Sequence, residues 1–258
     1  MIPSHPGVYD EIGTGYRRHR IPDRRIADQI EAALGPARSV CNVGAGTGSY
    51  EPSGRRVVAL EPSREMLSQR SHVAVRGAVR GAVRGIAEQL PFCDRAFDAS
   101  MAILTVHHWL DLERGLAEFC RIAERRIVLT FDVEKSSSFW LVSEYIPEIG
   151  SLEHHYPSID QIVNAIGANR VETIWVPHDC SDGFLAAYWR RPERYLEPDV
   201  RACISALAQT DPVLVARGIA RLRSDLESGT WQRRHADERE LDVMDWGYRL
   251  VICDSNSN

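Results

Sequence analysis

A mostly parallel β-sheet with helices on both faces is the fold that the sequence predicts, and three observations predict it. A short apolar run, Ser39-Val40-Cys41-Asn42-Val43, leads directly into glycines on alternate positions, Gly44, Gly46 and Gly48. A second apolar run, Val57-Val58-Ala59-Leu60, ends on an acid, Glu61. Strand-like and helix-like runs then alternate along the chain, the pattern of a parallel sheet with crossover helices. A strand that feeds a glycine turn lets bare backbone approach a ligand where a Cβ would block it. A carboxylate at the tip of the second strand can accept both hydroxyls of a ribose. Together they form the nucleoside-binding half of a Rossmann-like sheet.

The elements follow in order. Pro22-Asp23 opens a helix with Ile26, Ile30, Ala33 and Leu34 on one face, and Gly35-Pro36 ends it. Strands one and two are expected at 39–43 and 56–60. The next helix starts at Pro62-Ser63-Arg64-Glu65-Met66-Leu67, with Ser63 as N-cap. The unit Val75-Arg76-Gly77-Ala78 then recurs as Val79-Arg80-Gly81-Ala82 and Val83-Arg84-Gly85-Ile86. It is too short for a solenoid, whose repeats run about 20 residues or more. It reads as a slipped duplication that lengthens the third strand or its exit loop, and long surface loops cost little closure entropy. Strand four is expected at 97–105, a helix at 111–124 and strand five at 126–131. Leu112, Leu116, Phe119 and Ile122 give that helix its apolar face. Beyond it come helices at 138–149 and 159–166, a sixth strand at 171–176 and a loop at 178–184. Helices over 185–228 are broken by Arg191-Pro192 and Asp211-Pro212, and a seventh strand closes at 246–252.

Composition narrows the function. Hydrophobic residues make up 44% and charged residues 26%, the balance of a globular protein. The net charge is −5 and the arginine pairs are scattered among acids, which argues against a nucleic-acid partner. The six cysteines show no C-x-x-C spacing and no His/Cys cluster suits a zinc site, so no metal is expected. The N-terminus lacks the apolar core of a signal peptide, and no apolar run reaches the ~18 residues of a membrane span. The expectation is a cytoplasmic protein with reduced cysteines, off the membrane, as a monomer or homodimer.

The glycine turn is joined by Glu61-Pro62-Ser63-Arg64-Glu65-Met66-Leu67, by Ala87-Glu88-Gln89-Leu90-Pro91-Phe92 and by Phe97-Asp98-Ala99-Ser100. With these the chain resembles the class I S-adenosylmethionine-dependent methyltransferases over residues 9–132, in particular the bacterial small-molecule branch of menaquinone and ubiquinone biosynthesis. The resemblance implies S-adenosyl-L-methionine as cofactor. It places the backbone of Gly44, Ala45 and Gly46 under the methionyl part and the ribose. It gives Glu61 the ribose hydroxyls, sets Pro62 against the adenine, and gives Ala87 a backbone bond to the ring and Glu88 the exocyclic amine. Tyr16, in the segment Tyr9 to Arg20, belongs to a lid over the cofactor. Asn42 stands where most members carry Asp or Glu to hold the methionine amino group; Asn keeps an acceptor but gives up the charge, which implies either a lower affinity or help from another carboxylate. The implied division is a lid segment at 1–22, a cofactor-binding core at 23–135, helical substrate-cap insertions around strand six at 136–230, and the final core strand at 231–258.

The methyl on a sulfonium is already activated, so alignment of the acceptor is the main catalytic need. His107 and His108 follow strand four at the ligand-binding edge, and a histidine of ordinary pKa near ~6.5 can take a proton there. Packing against the cofactor is the other reading of these two residues. Trp140, Phe184, Tyr188 and Trp189 crowd the expected cap and suit an apolar or aromatic acceptor; the other reading is that they form the cap's own core. The expected activity is methyl transfer to an oxygen or carbon of such a small molecule. A non-methylating cyclase or decarboxylase on the same scaffold, or a cofactor-binding regulatory protein, are the alternatives.

Overall fold

The computed structural model describes residues 19–70 and 80–254. Tyr16 with the rest of the expected lid up to residue 18, and residues 75–79 of the repeat, lie outside the described residues. The first helix, α1 (Arg24–Leu34), starts at Asp23, whose carboxylate accepts the Arg25 amide, and buries Ile26, Ile30, Ala33 and Leu34. β1 (Ser39–Val43) pairs in parallel with β2 (Arg56–Glu61), Val40 opposite Val57 and Val43 opposite Leu60. Helix α2 (Arg64–Ser68) follows, and the Ser63 hydroxyl accepts from the Met66 amide at its start. β3 (Arg80–Arg84), drawn from the repeat, pairs in parallel with β2. β4 (Phe97–Ile103) lies on the other side of β1, and β5 (Ala123–Phe131) beside β4, both parallel. Between those two strands runs α3 (Leu112–Arg121).

β5 begins at Ala123 rather than at Arg126. The polar stretch Glu124-Arg125-Arg126 hides it from the apolar pattern, but pairing begins at Phe97 opposite Ala123. Past β5 the chain departs further from expectation. One helix over 138–149 is replaced by α4 (Val133–Ser137), a π-helical turn at Leu141–Tyr145 and α5 (Glu148–Glu153). Pro147 accounts for the break: a proline disfavours helical backbone at the residue before it, and Ile146 sits at φ −137. Helix α6 (Ile159–Ile166) carries a full capping box between Ser158 and Gln161 and ends on left-handed Gly167. β6 (Arg170–Thr173) and a two-residue strand β7 (Val176–Pro177) come next. The helices α7 (Pro198–Ala202), α8 (Ser205–Gln209), α9 (Pro212–Glu227) and α10 (Thr230–Arg234) precede β8 (Val243–Met244) and β9 (Tyr248–Cys253).

The main sheet has seven strands in the order β3-β2-β1-β4-β5-β9-β6, with β9 antiparallel to both neighbours. The expected seven-stranded, mostly parallel fold is the one present. Its two faces alternate along each strand. Leu250 and Ile252 enter one apolar cluster with α1, α5 and α7 to α10, while Val251 enters the other with α3 and α6. Tyr145 donates to Asp225 at 2.8 Å and Arg217 pairs with Glu148 at 2.8 Å, so the segments after β5 and before β9 pack into one helical layer. Among the described residues, no helix is long and apolar enough to cross a membrane.

Candidate active site

The carboxyl ends of β1, β2 and β4 open on a cavity of ≈ 140 Å³. Asn42, Gly44, Ala45, Gly46, Glu61, Pro62, Ala87 and Glu88 all line it. This is the edge at which α/β sheets bind ligands. Two glycines of the turn have different tasks. Gly44, at φ 68, faces protein: an added Cβ would overlap the Thr105 hydroxyl. Gly46, at φ 52, faces open space, and an added Cβ would meet no protein atom within 4 Å. The bare backbone that the sequence reading assigned to a ligand is therefore at Gly46, while Gly44 lets the turn close against β4's exit.

Glu61 is buried and shapes this turn. Its Oε2 accepts from the Gly46 amide at 2.7 Å and its Oε1 from the Ser63 amide at 2.9 Å. Glu88 does the same on the opposite wall, where its Oε1 accepts from the amides of Leu110 at 2.7 Å and Asp111 at 3.2 Å. Beneath the turn Asn42, only 3% exposed, donates its Nδ2 to Glu51 Oε1 at 3.2 Å. Glu51 is itself paired with Arg70 at 2.6 Å. Among the described residues the buried Asn42 Oδ1 has no partner, and Asn42 lines the cavity. An acceptor left in that state costs about 1–3 kcal/mol, which a donor on a ligand would recover. Gly46, Asn42 and the two pinned carboxylates thus fit an adenosyl ligand with an ammonium group.

The histidines part company. His108 lines this cavity, whereas His107 lines a second one. Both are buried, and burial opposes the charged imidazolium. His107 is held well below the ordinary histidine range by burial and by its neighbour His108, and His108 is pushed down to about 4. The ordinary pKa expected from sequence is therefore absent at both, and each is a weak proton acceptor. Among the described residues the His107 Nδ1 has no partner, and its ring lies 4.7 Å from that of Tyr156 and 5.2 Å from that of Phe131.

The second cavity, of ≈ 50 Å³, is walled by Phe131, Tyr156, Phe184 and Tyr248 and receives Glu153. Arg20 and Leu104 line both cavities. Arg20 is fixed by a two-pronged contact with the buried Asp182, at 2.7 and 3.3 Å, and Tyr50 donates to the same carboxylate at 2.9 Å. Leu104 adopts φ 52, a left-handed conformation unusual for a side chain of its size, and is held there by its amide's bond to the Leu129 carbonyl at 2.8 Å. Of the four aromatics expected to meet substrate, Phe184 alone reaches either cavity. Trp140 and Trp189 are 2% and 1% exposed, and their indole N–H groups donate to the carbonyls of Trp189 and Val176. Tyr188 is buried against Tyr195 with Arg191 and Arg194 over its ring. These three build the core of the helical layer. Sequence reading missed Arg20, Tyr50, Leu104, Glu153 and Asp182. For Glu153 one signal existed: it stands four residues after Ile149, on the same buried helical face.

Comparison with known proteins decides the family. The model of a methyltransferase domain matches residues 40–129. A protein from Anabaena variabilis, described as a methyltransferase from an antibiotic biosynthesis pathway, is 32% identical; the match covers 92% of this chain and 99% of that one, with a TM-score of 0.85. The chain belongs to the class I S-adenosylmethionine-dependent methyltransferases. Its cofactor is S-adenosylmethionine, and the cavity at the strand ends has the matching donor and acceptor groups. More distant solved structures include an S-adenosylmethionine-dependent methyltransferase from Thermotoga maritima, at 24% identity over 57% of this chain and 72% of that one, with a TM-score of 0.44. Geranyl diphosphate C-methyltransferase from Streptomyces coelicolor is 16% identical over 90% and 78%, with a TM-score of 0.48. A search of curated proteins finds no match.

Proposed function

We propose that this methyltransferase acts on an oxygen or carbon of a small, apolar or aromatic molecule. The observation that carries the reading is the pairing of a cavity at the strand ends, which holds two carboxylates pinned by backbone amides, with an aromatic-walled one beside it, both lined by Arg20 and Leu104. In this reading Glu61, already fixed by two amides, holds the ribose hydroxyls with its remaining lone pairs. The Asn42 Oδ1 accepts a hydrogen bond from the methionine ammonium, the role an acid fills in most members. Pro62 and Ala87 flank the adenine and Glu88 offers its second oxygen to the exocyclic amine. His108 packs at the boundary rather than titrating. The bound cofactor supplies a methyl group already activated on a sulfonium. What remains to the chain is to hold the acceptor in line, exclude water and receive a proton where the acceptor loses one.

The protein works in the cytoplasm as a monomer or homodimer in this account. Support comes from its cysteines, all six of which are free. The test is twofold. S-adenosylhomocysteine should bind in calorimetry, and a library of small aromatic and isoprenoid molecules incubated with the donor should yield at least one methylated product by mass spectrometry. Binding without any methylated product, but with a rearranged or decarboxylated one, would move the protein to a non-methylating chemistry on the same scaffold.

A further inference from the structure

The second cavity contains a group that the fold does not explain. Glu153, 2% exposed, is the last residue of α5, the end of a helix where a negative charge is least favoured. Among the described residues, the hydrogen bond it makes is a long one, accepted from the Ser136 hydroxyl at 3.3 Å. Burying a carboxyl with so little compensation costs free energy. A structural role would be served as well by a glutamine or a leucine. Yet the side chain lines the cavity, among aromatic walls and with His107 in the same lining.

We propose that this cavity is the acceptor site, that it takes the hydroxyl of a phenol or enol, and that Glu153 is the base receiving the hydroxyl proton. The proposal rests on the methyltransferase reading above. The planar walls suit a conjugated acceptor. Among the described residues, the titratable groups that line the cavity with Glu153 are His107, Tyr156, Tyr248 and Arg20. His107 is held neutral by burial, both tyrosines are pushed up by burial, and Arg20 is committed to Asp182. That leaves Glu153, raised by desolvation to about 7, as the group that changes charge near neutrality. A base of that strength matches a phenol or enol and not an aliphatic alcohol. In the step itself, the acceptor oxygen forms the new O–CH₃ bond from its lone pair, the S–CH₃ bond breaks with its electrons left on sulfur, and the O–H proton passes to Glu153, which later releases it to water.

The experiment compares wild type, Glu153→Gln and Ala206→Phe, the last placing bulk in a wall of the cavity. All three are first titrated with S-adenosylhomocysteine. Both variants should bind it within about twofold of wild type, since they alter a separate cavity. Phenol, catechol, 4-nitrophenol and 1-naphthol are then titrated into the loaded proteins. At least one should bind wild type, and Ala206→Phe should weaken it by about tenfold or more. With the methyl donor, Glu153→Gln should lower turnover of that phenol about 100-fold with KM little changed. It should also lose the rise in rate that wild type shows as pH increases through about 7. Wild type that fails to bind S-adenosylhomocysteine would sink the cofactor reading and this proposal with it. Binding of S-adenosylhomocysteine with no phenol bound would sink this proposal alone. So would a Glu153→Gln protein with the wild-type rate and pH profile. If Glu153→Gln does not fold, unweakened phenol binding by Ala206→Phe still overturns the site.

Discussion

The two cavities adjoin one another but are built differently. The first is shaped by backbone. Its walls are mainly strand ends and turns from 42–62, 86–88 and 103–110, joined by Arg20, Met66 and Gln209, and its carboxylates, Glu61 and Glu88, are themselves fixed by amide hydrogens. The second is shaped by side chains gathered from residue 20 to residue 248, across β5, α4, α5, α8 and β9. A backbone site needs glycines and acids at fixed spacing, so it constrains the sequence tightly. A side-chain site needs only that certain volumes and charges meet, which many sequences can satisfy. The same division suits an enzyme that keeps one cofactor while its acceptor varies.

The largest effect that would break this comparison lies in the helical layer. Trp140 belongs to its core rather than to a substrate wall, so Trp140→Ala should cost about 3–5 kcal/mol of stability in chemical denaturation. Unchanged stability with lost acceptor turnover would return Trp140 to the site.

A similar magnitude attaches to the buried carboxyl. Glu153 is raised from 4.5 to about 7 in the folded protein. Between those values the folded state keeps a proton that the unfolded chain has released, so stability is highest below the unfolded pKa and falls as pH rises through about 7. The fall should total about 3 kcal/mol. Glu153→Gln lacks this group, so its stability relative to wild type should improve across that window and level off above it. A difference between the two proteins that does not change with pH would place Glu153 in a more polar setting than the cavity offers.

Smaller still is the expected loss at the ribose position. Glu61→Ala should weaken cofactor binding by about 1.5–3 kcal/mol through the lost charge-assisted hydrogen bonds. It should also loosen the Gly46 and Ser63 amides that Glu61 now holds. Unchanged affinity in calorimetry would contradict the ribose assignment.

What could be read from the chain follows the same line. The caps at Asp23 and Ser63, β1, β2 and the acid closing β2 stand where the pattern put them, because short-range chemistry specifies each. The stretch after β5 did not read correctly. Phe139, Trp140, Leu141, Val142, Tyr145 and Ile146 are buried on all sides, so no periodicity distinguishes one long helix from two short ones with a π turn between them. The pair His107-His108 looked equivalent in sequence, and a turn of 3-10 helix at Val106–His108 sends the two rings to different cavities. Arg20, Tyr50 and Asp182 join segments up to 162 residues apart, a separation at which no local signal exists.

The most direct test of the central claim is calorimetric titration of S-adenosylhomocysteine into wild type and Gly46→Val. An added side chain at Gly46 meets no protein atom within 4 Å and enters the cavity at the strand ends. The account predicts that wild type binds and that folded Gly46→Val, carrying about 1–2 kcal/mol of backbone strain, does not. Wild-type affinity in the variant would contradict the assignment of this cavity to the cofactor.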